Sequence, residues 1–283
     1  MPLSRRQFLR ISAGALVIGA AGDSFCEPLE TGVTELSISL ARLPIAFDGL
    51  RVAQLSDIHF NPFESSAHIG KIVERTNALR PDLVILTGDF VSAALGRTRD
   101  DSHAENAWPC SKLLSKLQAS FGCFAVLGNH DYYSNPTIVA EALQSEGRIK
   151  VLHNFSEPVE RNGSRLWITG IDNVTARAAR PEKALQGIPP EECKIVAVHE
   201  PDFADQMRRY PVDLQLSGHS HGGQIRAPLL GPLWLPAFAR KYPMGHYIFG
   251  SYQLYTNRGI GMSGVPMRFL CPPEVTLFTL KRA

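Results

Sequence analysis

Apolar residues recur along this chain in short uninterrupted runs, and five of those runs end in polar clusters. The run 51–55 leads into Asp57-Ile58-His59, and 83–86 into Thr87-Gly88-Asp89. The run 124–127 leads into Gly128-Asn129-His130-Asp131, 195–198 into His199, and 214–216 into Ser217-Gly218-His219-Ser220-His221. Short runs rich in Val, Ile and Leu predict buried strands. Between the early runs the period changes to that of a helix. Ile69, Ile72, Val73, Thr76 and Leu79 share one helical face up to Pro81. A second helix is expected over 111–118 with Leu113, Leu114 and Leu117 inward, and a third begins at an Asn135 cap followed by Pro136.

The alternation of Leu36, Ile38 and Leu40 predicts a first edge strand over 35–40, reached through a linker; together they occupy 23–48. The second half is strand-rich, with runs at 151–152, 166–171, 195–198, 214–216, 247–249, 253–256 and 275–280. Helices around 181–185 and 202–209 interrupt it. Strand–helix alternation followed by a strand series predicts a layered α/β domain over 49–283, two packed sheets flanked by helices. In such sheets ligands collect beyond the carboxyl ends of the strands. A single site built from five strand ends accounts for every polar cluster at once.

Composition narrows the partners. A chain of 283 residues with net charge +2 has room for a full core and lacks the basic excess of a general nucleic-acid binder. The N-terminus reads differently from the rest. Arg5-Arg6-Gln7-Phe8-Leu9 precedes a small-residue apolar stretch over 11–21, the pattern of a twin-arginine export signal at 1–22, either cleaved or kept as an anchor. The twin-arginine export machinery is the partner this implies, and the periplasm or cell envelope the location. Cys26, Cys110, Cys123, Cys193 and Cys271 are scattered and odd in number, without zinc-ribbon spacing, and read as small buried residues.

Aspartate, histidine and asparagine in the five clusters select hard or borderline divalent metals, and no cysteine joins them. The set is too large for one tetrahedral zinc. It suits two metals sharing a carboxylate; such ions, about 3.5–4 Å apart, polarise a phosphoryl group and generate hydroxide near neutral pH. The expected reaction is phosphoester hydrolysis.

The ordered set Asp-x-His, Gly-Asp, Gly-Asn-His-Asp, His and Gly-His-x-His resembles the calcineurin-like metallophosphoesterases. The resemblance implies a four-layer α/β/β/α sandwich of two mixed sheets. It implies one metal held by Asp57, His59, Asp89 and His221, and a second shared through Asp89 and held by Asn129, His199 and His219. His130 would contact the scissile phosphate and stabilise or protonate the leaving oxygen. Manganese, iron and zinc all suit these ligands. The Asp131 that closes the motif and the Phe90-Val91-Ser92-Ala93 that follows Asp89 separate the chain from the phosphoprotein phosphatases. The tail over 257–275 looks like the exported bacterial phosphodiesterases and resembles enzymes that split UDP-2,3-diacylglucosamine in lipid A synthesis. The substrates implied are phosphorylated small molecules or lipids, and the alternative is a metal-binding scaffold at the cell envelope.

Several other polar residues carry weaker expectations. Asp131 is read as orienting His130 or supporting its loop. Turn chemistry is expected at His153, Asn154, Asp172 and Asn173. Glu200 is read as a solvated loop carboxylate, with support of the ligand His199 as the alternative. Arg226 is placed either on a phosphate or in a salt bridge. The segment 227–238 carries Leu229, Leu230, Leu233, Trp234, Leu235 and Phe238. It is expected to pack on its own side chains; the alternatives are a grip on an acyl chain or contact with a membrane.

Overall fold

The structure, a computed structural model, describes residues 31–61, 66–93 and 101–283. The twin-arginine segment lies outside them. The strands, in chain order, are β1 (Gly32–Leu40), β2 (Arg51–Leu55), β3 (Leu83–Leu86), β4 (Cys123–Ala125), β5 (Lys150–Val151), β6 (Phe155–Arg161) and β7 (Ser164–Gly170). They continue with β8 (Lys194–Ala197), β9 (Leu214–Ser217), β10 (Arg226–Ala227), β11 (Gly231–Pro232), β12 (Gly245–Phe249), β13 (Tyr252–Thr256) and β14 (Glu274–Arg282). The helices are α1 (Ser66–Ala78), α2 (Asp101–Ala104), α3 (Ala107–Leu114), α4 (Asn129–Ser134), α5 (Pro136–Ser145), α6 (Pro181–Ala184) and α7 (Ala204–Met207).

Two six-stranded sheets form, ordered β1-β14-β2-β3-β4-β5 and β12-β13-β9-β8-β7-β6. Strands β2 to β5 run parallel, as do β7, β8, β9 and β13, while β14, β6 and β12 supply the antiparallel pairs. Alternation along single strands divides the core into layers. On β3, Leu83 and Ile85 enter the cluster between the sheets, while Val84 and Leu86 pack under α1, α3 and α5. On β8, Ile195 and Ala197 face the other sheet, and Val196 packs with Phe203 and Met207 on the outer side. Burial on both faces is why these strands read as unbroken apolar runs. The expected four-layer α/β/β/α sandwich is the observed architecture.

Details differ from the sequence reading. The second helix is Ala107–Leu114 rather than 111–118: Ala107, Cys110, Ser111 and Leu114 form its buried stripe, Pro109 is tolerated in its first turn, and Leu117 packs beyond its end. Strand β6 went unrecognised because it is an edge strand that carries Pro158 and the charged Glu157, Glu160 and Arg161, a composition such edges tolerate. Part of the expected linker belongs to the domain, since β1 begins at Gly32 and both Leu43 and Phe47 lie in the inter-sheet core. The cysteines among the described residues, Cys110, Cys123, Cys193 and Cys271, are free thiols.

Candidate metal centre

Each polar cluster leaves the carboxyl end of its strand: Asp57 and His59 after β2, Asp89 after β3, Asn129 and His130 after β4, His199 after β8, His219 and His221 after β9. The backbone there is unusual. Asp57, His59, Asp89, His219 and His221 all have φ between 50° and 68°, in the left-handed region. Such conformations cost of order 1–3 kcal/mol each in non-glycine residues and persist only where the surroundings over-determine them. Crowding by neighbouring chain segments is part of that constraint. A Cβ on Gly128 would lie 2.1 Å from Asp89 Oδ1, and one on Gly218 would lie 1.9 Å from Ser56 Oγ, so both positions require glycine.

The side chains converge. His59 Nε2 lies 3.0 Å from His221 Nε2 and 3.5 Å from Asp89 Oδ2. His221 Nε2 is 3.4 Å from Asp57 Oδ1, and His199 Nε2 is 3.2 Å from Asp89 Oδ2. Three overlapping sets could each hold a cation: Asp57 with His59 and His221, His59 with Asp89 and His130, and Asp89 with His199 and His219. Asp89 belongs to the last two and touches the first through His59.

Hydrogen bonds from outside the cluster fix which ring nitrogen faces it. His199 Nδ1–H donates to the Thr87 carbonyl (2.6 Å), leaving Nε2 toward Asp89. His219 Nε2–H donates to the Ala237 carbonyl (2.8 Å), leaving Nδ1 bare. Asn129 Oδ1 and His199 Nε2 are buried and make no hydrogen bond. Orphaned acceptors beside carboxylates are what a cation would satisfy, so the donor set fits divalent metal.

Electrostatics divide the donor set. Burial holds His59 down to about 3, and burial followed by the adjacent His59 and Arg268 holds His221 well below its usual value. Neutral imidazoles are the ligand form. Burial also pushes Asp57 up to about 6. At Asp89 burial is overcome by the surrounding His199 and His130, which hold the carboxyl well below its normal range; burial likewise opposes the charged form of His199, but Asp89 draws that ring well above its usual value.

The supports became visible only in three dimensions. Asp131 accepts from the N–H groups of Asp89 (2.9 Å), Phe90 (2.8 Å), Val91 (3.2 Å) and Gly128 (2.8 Å). It ties the β3 loop to the β4 loop, while the His130 ring makes its hydrogen bonds with Ala93 and Ser263, which favours loop support. Burial and the nearby Asp89 push this carboxyl up to about 7, against the pull of its N–H donors. Glu200 is not solvated: it is fully buried and accepts from Val174 N–H (3.1 Å) and Thr175 N–H (2.9 Å). Arg226 donates to the Gly222 carbonyl (2.7 Å), supporting the turn after His221 rather than reaching for a phosphate or a carboxylate. Asn173 does serve a turn, accepting from Ala176 N–H, whereas Asn154 ties distant segments together, accepting from Asp172 N–H and Arg180 N–H and donating to the Ala178 carbonyl.

His130 stands at the start of α4, half-buried. Ala93 N–H donates to its Nδ1 (3.0 Å), which puts the ring proton on Nε2, 3.4 Å from Ser263 Oγ. Arg268 was not singled out by its type or spacing. It is fully buried, donates to the Gly261, Cys271 and Arg258 carbonyls, and places Nη2 3.4 Å from His221 Nδ1. It pins the tail against the ligand loop.

A cavity of about 770 Å³ opens over the cluster. Asp89, Asn129, His130, His219 and His221 line its floor, and Ile225, Leu233, Trp234, Pro236, Val265 and Pro266 its walls. Asp57, His59 and His199 lie beneath the floor, fully buried.

Comparison with known proteins agrees with this site. The profile of the calcineurin-like phosphoesterases matches residues 50–223, from the start of β2 to the turn after His221. The chain belongs to the calcineurin-like phosphoesterase family. Relatives resemble this calcineurin-like phosphoesterase over nearly its whole length. It is 37% identical to the uncharacterized metallophosphoesterase YkuE of Bacillus subtilis, covering 99% of this chain and 98% of the relative. The phosphodiesterase YaeI of Escherichia coli is 31% identical, over 98% of this chain and 99% of its own. The UDP-2,3-diacylglucosamine pyrophosphatase LpxG of Chlamydia muridarum is 30% identical, over 88% and 90%. The chain is therefore a metal-dependent phosphoric ester hydrolase, with histidine and aspartate side chains placed for a metal centre.

Proposed function

We propose that this phosphoesterase hydrolyses a phosphodiester or pyrophosphate bond in a substrate that also carries an apolar group, using two divalent cations. The observation that carries the reading is the position of Asp89, which lies 3.5 Å from His59 and 3.2 Å from His199 and so joins two ligand sets. Asp57, His59, Asp89 and His221 would hold one cation, and Asp89, Asn129, His199 and His219 the other. Manganese, iron and zinc all fit such donors. Bound there, divalent metal supplies Lewis acidity toward phosphoryl oxygens and makes water a nucleophile near neutral pH.

The chain's own groups do the rest. With Nδ1 accepting from the Ala93 N–H, His130 offers an Nε2–H to the cavity. That group donates a hydrogen bond to the oxygen that gains charge as the P–O bond breaks. Of the two roles expected for His130, stabilising the leaving oxygen is the one this geometry favours. Ser263 Oγ, beside Nε2, keeps the ring aimed at the same point. The apolar walls exclude water on the side away from the metal ligands and suit an acyl or other hydrocarbon arm. The relationship to LpxG makes a nucleotide-sugar pyrophosphate with acyl chains the second reading of the same site.

The test is hydrolysis of bis-p-nitrophenyl phosphate and of p-nitrophenyl phosphate by chelator-treated protein, given manganese, zinc or iron. The expected result is metal-restored cleavage that favours the diester. A preference for the monoester would overturn the substrate class, and silence with every metal would favour the envelope scaffold.

The twin-arginine motif supports export of the folded chain to the periplasm or cell envelope. Replacing Arg5 and Arg6 with lysine is expected to leave the protein in the cytoplasm of a bacterium with that pathway, read by fractionation. Unchanged export would refute the targeting.

A further inference from the structure

Most large apolar side chains among the described residues are buried, but one group beside the cavity is not. Strands β10 and β11 pair Arg226 with Pro232 and Ala227 with Gly231, closing a hairpin whose tip is Leu229 and Leu230. Leu229 is fully exposed, Leu230 is 85% exposed and Trp234, just beyond the hairpin, 70%. The expectation that this segment packs on its own side chains is therefore wrong. The projection is built in. Leu233 N–H donates to the Ile225 carbonyl (3.1 Å) at the foot of the hairpin. The far end of the segment is held by Asp202, whose carboxylate accepts from Arg240 N–H and Lys241 N–H. Leu229 also has φ 67°, a conformation that glycine or asparagine would adopt at less cost. Local folding alone does not call for a leucine there.

Charge and position indicate what meets this surface. Between Asp213 and Glu274 the chain contains no acidic residue, while it carries Arg226, Arg240 and Lys241 on either side of the apolar segment. Arg240 is exposed at its foot; Lys241 is also exposed and pairs with Asp205. Leu233 and Trp234 are at once part of this rim and part of the cavity wall, so the cavity mouth opens in the apolar rim. The rim is narrow. It falls far short of the roughly 20 to 30 residues a side of a stable protein interface. Protruding leucines, a tryptophan and a basic border are instead what inserts between lipid headgroups.

We propose that the 228–234 hairpin seats the protein on an anionic phospholipid surface, with the mouth of the cavity turned toward the bilayer. The proposal rests on the functional reading only for its purpose, which is to deliver amphiphilic substrates without passage through water.

The test uses the full chain with vesicles of phosphatidylglycerol or of phosphatidylcholine. The protein is expected to sediment with the anionic vesicles in preference to the neutral ones. Brominated lipid should quench tryptophan emission in the wild type and lose most of that effect in Trp234→Phe, which shows that this loop and not the N-terminal segment enters the bilayer. Leu229 and Leu230 do not line the cavity, so Leu229→Ser/Leu230→Ser should weaken vesicle binding at least about tenfold while the rate on soluble bis-p-nitrophenyl phosphate stays unchanged. Quenching that is absent, or identical in Trp234→Phe, overturns the proposal. So does a concentration-dependent dimer that the double substitution dissociates, which would make a second copy the occupant. Hydrolysis of the soluble diester is read separately, so failure of docking and failure of the catalytic reading are distinguishable.

Discussion

Asp89→Asn is expected to lower metal-dependent diester hydrolysis by at least about a thousandfold and to strip metal from the protein. The carboxylate lies within 3.5 Å of His59 and 3.2 Å of His199, so its charge serves both proposed cations. A unit charge pair about 4 Å apart at an effective dielectric of about 20 is worth roughly 4 kcal/mol, which corresponds to about three orders of magnitude in rate or affinity. The substitution is otherwise mild. Asp89 Oδ1 accepts from His130 N–H (2.8 Å), and an asparagine oxygen can keep that bond, so α4 should hold its place. The measurement is metal content per chain by mass spectrometry together with kcat, with thermal unfolding as the check on folding. An Asp89→Asn variant that keeps its metal and its rate would show that the shared-carboxylate reading is wrong.

The second large effect belongs to His130, and its sign separates two kinds of catalysis. If the Nε2–H acts as a hydrogen-bond donor, His130→Ala removes one donor to developing charge and should cost about 100- to 1000-fold in kcat. Metal content should not change, because His130 lies outside both proposed ligand sets. A glutamine at this position can present an amide N–H at similar reach but cannot transfer a proton. His130→Gln is therefore expected to stay within about tenfold of the wild type. Equal losses in the two variants would instead require proton transfer, and with it a ring that gives up the Ala93 hydrogen bond. The alanine deficit should also be larger for an alkyl leaving group than for p-nitrophenolate, since the poorer leaving group carries more charge in the transition state.

Much of this site could be read from the chain because its candidate metal-binding side chains follow strands buried on both faces. Such strands appear as plain apolar runs, and what comes directly after them lies at one edge of the sheet. That logic locates Asp57, His59, Asp89, Asn129, His130, His199, His219 and His221 without any knowledge of packing. Strands β8, β9, β13 and most of β14 were legible for the same reason, whereas the short β10 and β11 fell within the segment expected to be a loop. Strand β6 was not, because an edge strand needs no apolar face of its own, and α3 was displaced because its buried stripe begins with the small residues Ala107, Cys110 and Ser111 before it reaches Leu114.

Sequence by itself determined the chemistry of this protein: the donor types, their order and their placement at strand ends, which together imply a metal-dependent phosphoesterase. Tertiary structure alone decided the roles that depend on partners distant in the chain. Asp131 became a brace because four backbone N–H groups from two loops meet on it, and Glu200 became an anchor because the backbone at Val174 and Thr175 turns toward it. The proton on His130 was placed by the Ala93 N–H, and the exposure of Leu229 and Leu230 by a hairpin that holds them away from the body. Residue type and spacing encode what a side chain can do; which hydrogen bonds it makes, and whether it meets water or protein, follows from segments that come together only when the chain has folded.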